Sequence, residues 1–208
     1  MKKNRYFLFI ALWFLAACNG PKNSPVETAG SDSTHQVVVI EKDQLLKDAA
    51  NAVLDILRNK RFSELGERFC TGTVVRFSPY GYIDTSAHLA LSAAMLDSIF
   101  KNNLPLTWGT QDGSGDPIRL PAQKYFEKYV YDVDFAAAPF VSIDSIVKSG
   151  NTVNNLKQVY PGTRFVEYHF SGFDKKLEGM DWKSLRLVFR EVNGNYCLVA
   201  VVHDQWTI

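Results

Sequence analysis

Between residues 41 and 60 the apolar positions recur at helical spacing. Leu45, Leu46, Ala49, Ala50, Val53, Leu54 and Leu57 fall on one face, so the pattern predicts a long amphipathic helix. Ser63 is placed to cap a short second helix through Phe69, which Thr71-Gly72 breaks. The run "TVVRFSP" reads as a strand that Pro79 ends, and Ser92 caps a further short helix in "SAAMLDSIFKN". "LPLTWGTQ" and "DPIRL" are expected to be extended on either side of a polar, glycine-rich loop. Pro121 stands where a helix places its first residue, and Tyr125, Phe126, Tyr129 and Val130 then share one face.

After residue 139 the period changes from 3.6 to 2. "FVSIDSIV", "TRFVEYHF", "SLRLVFREV" and "YCLVAVVHDQW" read as strands. Asn193-Gly194 between the last two is a strong signal for a tight hairpin, because a type I′ turn needs positive φ at both central positions. In the first strand of that hairpin Leu185, Leu187 and Phe189 make an apolar face, and Arg186, Val188 and Arg190 a mixed one. Helices come first and mostly antiparallel strands follow, which predicts an α+β domain over residues 37–208.

The loop "GTQDGSGDPI" sets Asp112, Ser114 and Asp116 at i, i+2 and i+4, as calcium loops do. The twelfth position counted from Asp112 is Gln123 rather than glutamate, and no Lys-Ser/Thr follows the glycines as in a phosphate loop. The favoured reading is a structured turn, with a weak cation site at Asp112, Ser114 and Asp116 as the alternative.

Composition leaves the picture of an ordinary globular protein: 208 residues, 46% hydrophobic, 22% charged, formal net charge +1. No basic stripe points to nucleic acid. The amino terminus adds more. Lys2, Lys3 and Arg5 precede an apolar run from Tyr6 to Ala17, too short for a comfortable membrane span, which ends in Leu15-Ala16-Ala17-Cys18. This resembles the bacterial lipoprotein signal, in which the cysteine thiol takes the lipid and the chain is cut before it. The resemblance implies a signal peptide over 1–17, a lipid on Cys18 and membrane attachment through that anchor. Asn19 in place of aspartate implies the outer membrane. Removing Lys2, Lys3 and Arg5 from 23 cations against 22 acids leaves a net charge of −2. Residues 18–36 hold the lipidated cysteine and a Gly-, Pro- and Ser-rich stretch that reads as a flexible tether.

The element order over residues 41–208 resembles the nuclear transport factor 2-like cone fold, in which a bent sheet wraps helices and leaves a pocket; a cystatin-like helix on a sheet is the alternative. The stretches "VRFSPYGYID", "WGTQDGSGDPI", "YVYDVDFA", "GNTVNN", "MDWKSLRLVF" and "VHDQWTI" resemble a family of bacterial envelope proteins. That resemblance implies an exported single domain and carries no catalytic role.

Candidate chemistry is sparse. Cys70 and Cys197 form either a disulfide in an oxidising compartment or two buried thiols. Asp132 and Asp134 are paired carboxylates, suited to acid–base work if buried but read first as the polar end of a helix. Glu167 and His169 share a strand face, read as charge pairing on a solvated surface or as a carboxylate beside an imidazole. His203 follows "LVAVV" and reads as a core or edge histidine before a catalytic one. No Gly-x-Ser-x-Gly, His-Glu-x-x-His or Cys-x-x-Cys occurs, and no motif calls for a cofactor. The expectation is a lipid-anchored envelope module that binds a small ligand or an envelope protein. The alternative is a metal-independent hydrolase, isomerase or dehydratase, with His203 or His169 as base beside Asp132 or Asp134.

Overall fold

The structure is a computed structural model that describes residues 32–207, with side chains from Gln36 onward. The expected signal peptide, Cys18 and residues 19–31 of the expected tether lie outside the described residues. Helix α1 spans Asp32–Arg58 and so begins inside the stretch read as tether. The last helix breaker before it is Gly30, and nothing between Asp32 and Glu41 stops the helix from extending back. The second expected helix is a 3-10 segment, Phe62–Arg68, and its N-cap is Arg61 rather than Ser63.

Strands β1 (Val75–Ser78) and β2 (Ala90–Leu91) precede α2 (Ala93–Asn102), where the Ser92 side chain accepts a hydrogen bond from the Met95 amide. Strands β3 (Leu106–Thr110) and β4 (Pro117–Leu120) form a separate two-stranded hairpin around the glycine-rich loop. Helix α3 (Ala122–Tyr129) follows, with Pro121 at its N-cap, one position ahead of the expected place. Strand β5 (Phe140–Ile143), the single turn α4 (Leu156–Val159) and strands β6 (Arg164–Phe170), β7 (Lys183–Val192) and β8 (Asn195–Gln205) complete the chain. The main sheet runs β2-β1-β8-β7-β6-β5, antiparallel except where β1 lies parallel to β8. The architecture is α+β, with helices against a curved sheet.

Both faces of the central strands are buried, which the sequence pattern did not announce. On one face Val166, Tyr168, Leu185, Leu187, Phe189, Leu198 and Val201 pack with α1, the 3-10 segment and α3. Aromatic rings fill that side: Phe126 lies 5.1 Å from both Phe62 and Phe77, and Trp108 stacks on Tyr125 at 3.9 Å. On the other face Phe165, Val188, Val199, Ala200 and Val202 meet Ile83 and Leu156 from the covering loops. The Asn155 side chain ties those loops together through the Ile83 amide at 2.8 Å and carbonyl at 3.0 Å. Cys70 and Cys197 are joined by a disulfide, Cα–Cα 4.9 Å, closing a separation of 127 residues.

The loop-covered face carries a buried charge at its centre. Arg186 on β7 is fully buried and donates from Nε to Glu167 on β6 at 3.0 Å, from one terminal nitrogen to Asp204 on β8 at 2.8 Å, and from the other to the Lys148 carbonyl at 2.8 Å. Glu167 also accepts from the Val147 amide at 3.1 Å and the Ser184 hydroxyl at 2.7 Å. His169 continues the chain, its Nδ1 2.9 Å from Ser184 Oγ. The expectation of a solvated face for Glu167 and His169 is therefore wrong: both are buried, because loop 144–160 closes over strands whose polar residues bond one another.

A buried guanidinium between two carboxylates is costly to form and costlier to break. Arg186→Met is expected to lower unfolding stability by about 3–5 kcal/mol in urea titration, since two carboxylates lose their cation. Replacing Arg186, Glu167 and Asp204 together with apolar residues should cost less than the single change. A single variant that loses under about 1 kcal/mol would contradict the arrangement.

Candidate functional site

The site is built by a bulge. The Asn193-Gly194 turn, with φ of 52° and 77°, pairs Val192 with Asn195, and this register holds to Phe189 with Leu198. There it shifts by one residue, so Val188 pairs with Ala200 and Leu185 with His203. Val199 is the extra residue, and both Val199 and Ala200 lie on the loop-covered face. The shift turns His203 to the helix side of the sheet and Asp204 to the Arg186 side.

His203 is fully buried. Its Nδ1 lies 3.3 Å from the Pro79 carbonyl and its Nε2 3.2 Å from Asp132 Oδ1, with Phe135 edge-on at 6.3 Å. Each ring nitrogen thus faces an oxygen acceptor, a carbonyl on one side and a carboxylate on the other. Asp132 follows the end of α3, where the Tyr131 amide bonds back to the Phe126 carbonyl at 2.8 Å and turns the chain toward the sheet. Its other oxygen pairs with Lys183, the first residue of β7. Burial pushes the Asp132 carboxyl up, but hydrogen bonds from His203 and Lys183 outweigh it, and the group titrates below the usual carboxylate range.

Asp132 and Lys183 lie on a groove of about 450 Å³, with Leu120, Lys124, Glu127, Lys128 and Gln205. Lys124 is already paired, 3.1 Å from Glu127. Glu127 also accepts from Gln123 and Lys60, and these bonds hold its carboxyl down at about 2. The Lys128 ammonium lies 5.1 Å from the Tyr129 ring. The groove thus presents three ammonium groups against two carboxylates.

Of the candidate acid–base residues, His203 and Asp132 come into direct contact, while Glu167 and His169 are linked only through Ser184. Asp132 is no solvated helix end. Asp134 is one in effect: half exposed, it pairs with Arg58 at 3.0 Å and accepts from Tyr131 at 2.7 Å. His169 and Glu167 lie on the opposite face of the sheet from His203. Asp112, Ser114 and Asp116 form an exposed turn bonded to itself: Gly113 N to Asp112 Oδ1 at 3.1 Å, Asp116 N to Ser114 Oγ at 3.3 Å, Gly115 N to the Gln111 carbonyl at 3.0 Å. Gly113 and Gly115 take φ of 82° and 74°. Among the described residues no three His, Cys, Asp or Glu side chains converge on a metal position. A second cleft of about 350 Å³ lies between α1 and β5–β6, lined by Lys47, Asn51, Arg58, Val141 and Tyr168, with no buried ion pair at its floor.

Sequence reasoning missed Lys183 and the pair Ser78–His88. Lys183 becomes visible only once the bulge sets it opposite Gln205. Ser78 Oγ is 2.9 Å from His88 Nδ1, which invites comparison with a nucleophile and its base. The surroundings argue otherwise. The Asp84 amide donates to that same nitrogen at 3.1 Å, and the one Ser78 hydroxyl proton is shared among His88 Nδ1, the Tyr80 carbonyl at 2.8 Å and the Tyr82 carbonyl at 3.2 Å. Ser78 is buried inside this loop network, so the pair anchors the 79–88 loop rather than attacking a substrate.

No protein-family model matches the chain, and neither a curated protein nor a solved structure matches it.

Burial pushes the His88 imidazole down to about 4. The unfolded chain then binds the extra proton first, so stability is full above the ordinary histidine value of about 6.5 and is lost as pH falls from there toward 4, by on the order of 2 kcal/mol. His88→Gln should flatten that part of a pH–stability profile measured by urea unfolding. An unchanged slope between pH 6.5 and 4 would contradict the neutral, Nδ1-accepting histidine.

Proposed function

We propose that this is a lipid-anchored envelope protein, attached through Cys18 and facing the periplasm from the outer membrane, whose domain binds an anionic ligand in the groove at Asp132 and Lys183. The anchor reading rests on the Leu15-Ala16-Ala17-Cys18 sequence behind a short apolar run and ahead of a Gly/Pro/Ser-rich stretch. Among the described residues no helix is long and apolar enough to cross a membrane. The domain itself is read as a cone-type fold, supported by α1 lying across β6 and β8 of the curved sheet. Its concave side is filled by aromatic rings, which moves the binding position to the rim.

The observation that carries the ligand reading is the stack His203–Asp132–Lys183. A buried imidazole holds the inner oxygen of Asp132, and the outer oxygen fixes Lys183 at the groove. The carboxylate is thereby consumed by its neighbours. What remains directed at an arriving molecule is ammonium, from Lys183 and Lys128, beside the side-chain amide of Gln205. Such a surface favours a carboxylate or phosphate group.

The His203–Asp132 contact also favours the second reading, a metal-independent hydrolase, isomerase or dehydratase. A base must reach the proton it takes. His203 is fully buried with both nitrogens engaged, and a carboxyl held below its usual range by hydrogen bonds from His203 and Lys183 is a weak base at neutral pH. Binding without turnover is therefore the reading we adopt.

Calorimetric titration with inorganic phosphate and a panel of small carboxylates is expected to find saturable binding. Lys183→Gln should weaken it at least about tenfold without unfolding the domain. A ligand bound equally by wild type and Lys183→Gln would remove the groove from the account, and turnover of that ligand would favour the enzyme. Cys18→Ala should release the protein from the membrane fraction or leave it unprocessed, and normal processing and fractionation of that variant would end the anchor reading.

A further inference from the structure

The first described turns of α1 carry apolar side chains that the domain does not cover. Val37, Val38, Val39 and Ile40 are between 45 and 63% exposed. They are consecutive residues of a helix, so at about 100° per residue they point around most of its circumference. Exposed Leu45 lies one to two turns further on. Exposed Val192 stands at the tip of the β7–β8 hairpin, held beside α1 by the Lys42–Glu191 ion pair at 2.9 Å. β-branched residues are poorer helix formers than the unbranched residues that follow, and in water their exposed methyl groups gain nothing. The composition makes physical sense only if this pole is covered.

We infer that this pole of the domain inserts into the interfacial layer of a lipid bilayer. Its shape selects lipid over protein. A protein groove takes a helix by one stripe at i, i+3, i+4 and i+7, and a coiled-coil partner needs a heptad seam. Here Gln36 precedes the apolar turn, and although Leu45 and Leu46 stand seven residues after Val38 and Val39, the i+3 and i+4 positions between them, Glu41, Lys42 and Asp43, are charged and break the stripe. A turn that is apolar on every side suits a medium that is apolar on every side. Its place agrees, and here the inference rests on the anchor reading above. Asp32 is 14 residues from Cys18, a separation of at most about 50 Å however the chain runs, so an acyl group on Cys18 keeps this end of the domain near the membrane. The nearby charges are mostly paired with one another: Lys42 with Glu191, and Arg164 with Asp43 and Asp144, each of the latter at 2.7 Å. The contact is therefore apolar rather than electrostatic, and it adds to the lipid anchor by holding one pole down and the Asp132–Lys183 groove in a fixed orientation.

The test uses the processed chain beginning at residue 18 with Cys18→Ser, so that no acyl group contributes, and neutral phosphatidylcholine vesicles. A fraction of the protein should float with the vesicles, and raising the salt should leave that fraction unchanged. Val38→Asp with Ile40→Asp, both at exposed positions, should reduce partitioning about tenfold while leaving the melting temperature unaltered. In the acylated protein, amide exchange at residues 37–45 should slow on vesicles. Failure of the Cys18→Ser chain to bind vesicles, or equal binding by the double variant, overturns the inference while leaving the anchor reading to its own fractionation test. Protection of residues 37–45 without vesicles, together with a dimer in sedimentation, overturns it in favour of a second copy of the chain.

Discussion

Arg186 lies at the middle of the sheet with no exposure to solvent, and its guanidinium joins all three central strands to the loop over them. Nε and one terminal nitrogen hold Glu167 on β6, the other terminal nitrogen holds Asp204 on β8, and the Lys148 carbonyl caps the set from the 144–160 segment. Glu167 is satisfied four times over, by Arg186 twice, by Ser184 and by the Val147 amide. Asp204 has less support, and burial raises its carboxyl against the pull of Arg186. The surrounding packing assumes this geometry. A methyl group on Gly81 would lie 2.5 Å from Asp204 Oδ2, so the 79–88 loop can close only over a carboxylate held in place and a residue with no side chain.

The groove depends on the same constraint through one residue of separation. His203 and Asp204 are neighbours on β8 and point to opposite faces. Fixing Asp204 on Arg186 fixes His203 toward Pro79 and Asp132, and pairing β7 with β8 then places Lys183 against Asp132 from the other side. The 79–88 loop is shared: its Pro79 carbonyl faces His203, and its Asp84 amide and Ser78 neighbour hold His88. The helix side contributes α3, whose aromatic face of Tyr125 and Phe126 packs on Trp108 and whose end delivers Asp132. The groove and the buried ion cluster are thus set by two faces of one hairpin.

The hairpin itself was legible, because Asn193-Gly194 and the alternation on both sides name a turn and a register. So were α2 with its Ser92 cap, the buried face of α3 and the turn between β3 and β4. The face on which His203 lies was not. A turn read without the bulge pairs His203 with Ser184 and puts it on the Arg186 side; one extra residue at Val199 reverses that. No local signal marks Val199, since the bulge serves the packing of two faces at once. Burial of Glu167, His169 and Arg186 was hidden for a related reason. An alternating strand with charges on one face normally meets water there, and only long-range closure by residues 79–88 and 144–160 dries it. The disulfide could not be chosen over two thiols because Cys70 and Cys197 are brought together by β8 lying beside the segment after the 3-10 helix.

The central claim is that the sheet fixes a cation-lined groove beside a buried His–Asp pair, and that this groove takes an anionic group. Titrating isotopically labelled protein with inorganic phosphate, while following backbone amide shifts and the His203 ring, tests it most directly. The account predicts saturable changes centred on Lys128, Asp132, Lys183 and Gln205 that extend to the His203 ring, with the Arg186 cluster still. Changes centred instead on Lys47, Asn51, Arg58 and Tyr168, in the cleft between α1 and β5–β6, would contradict it.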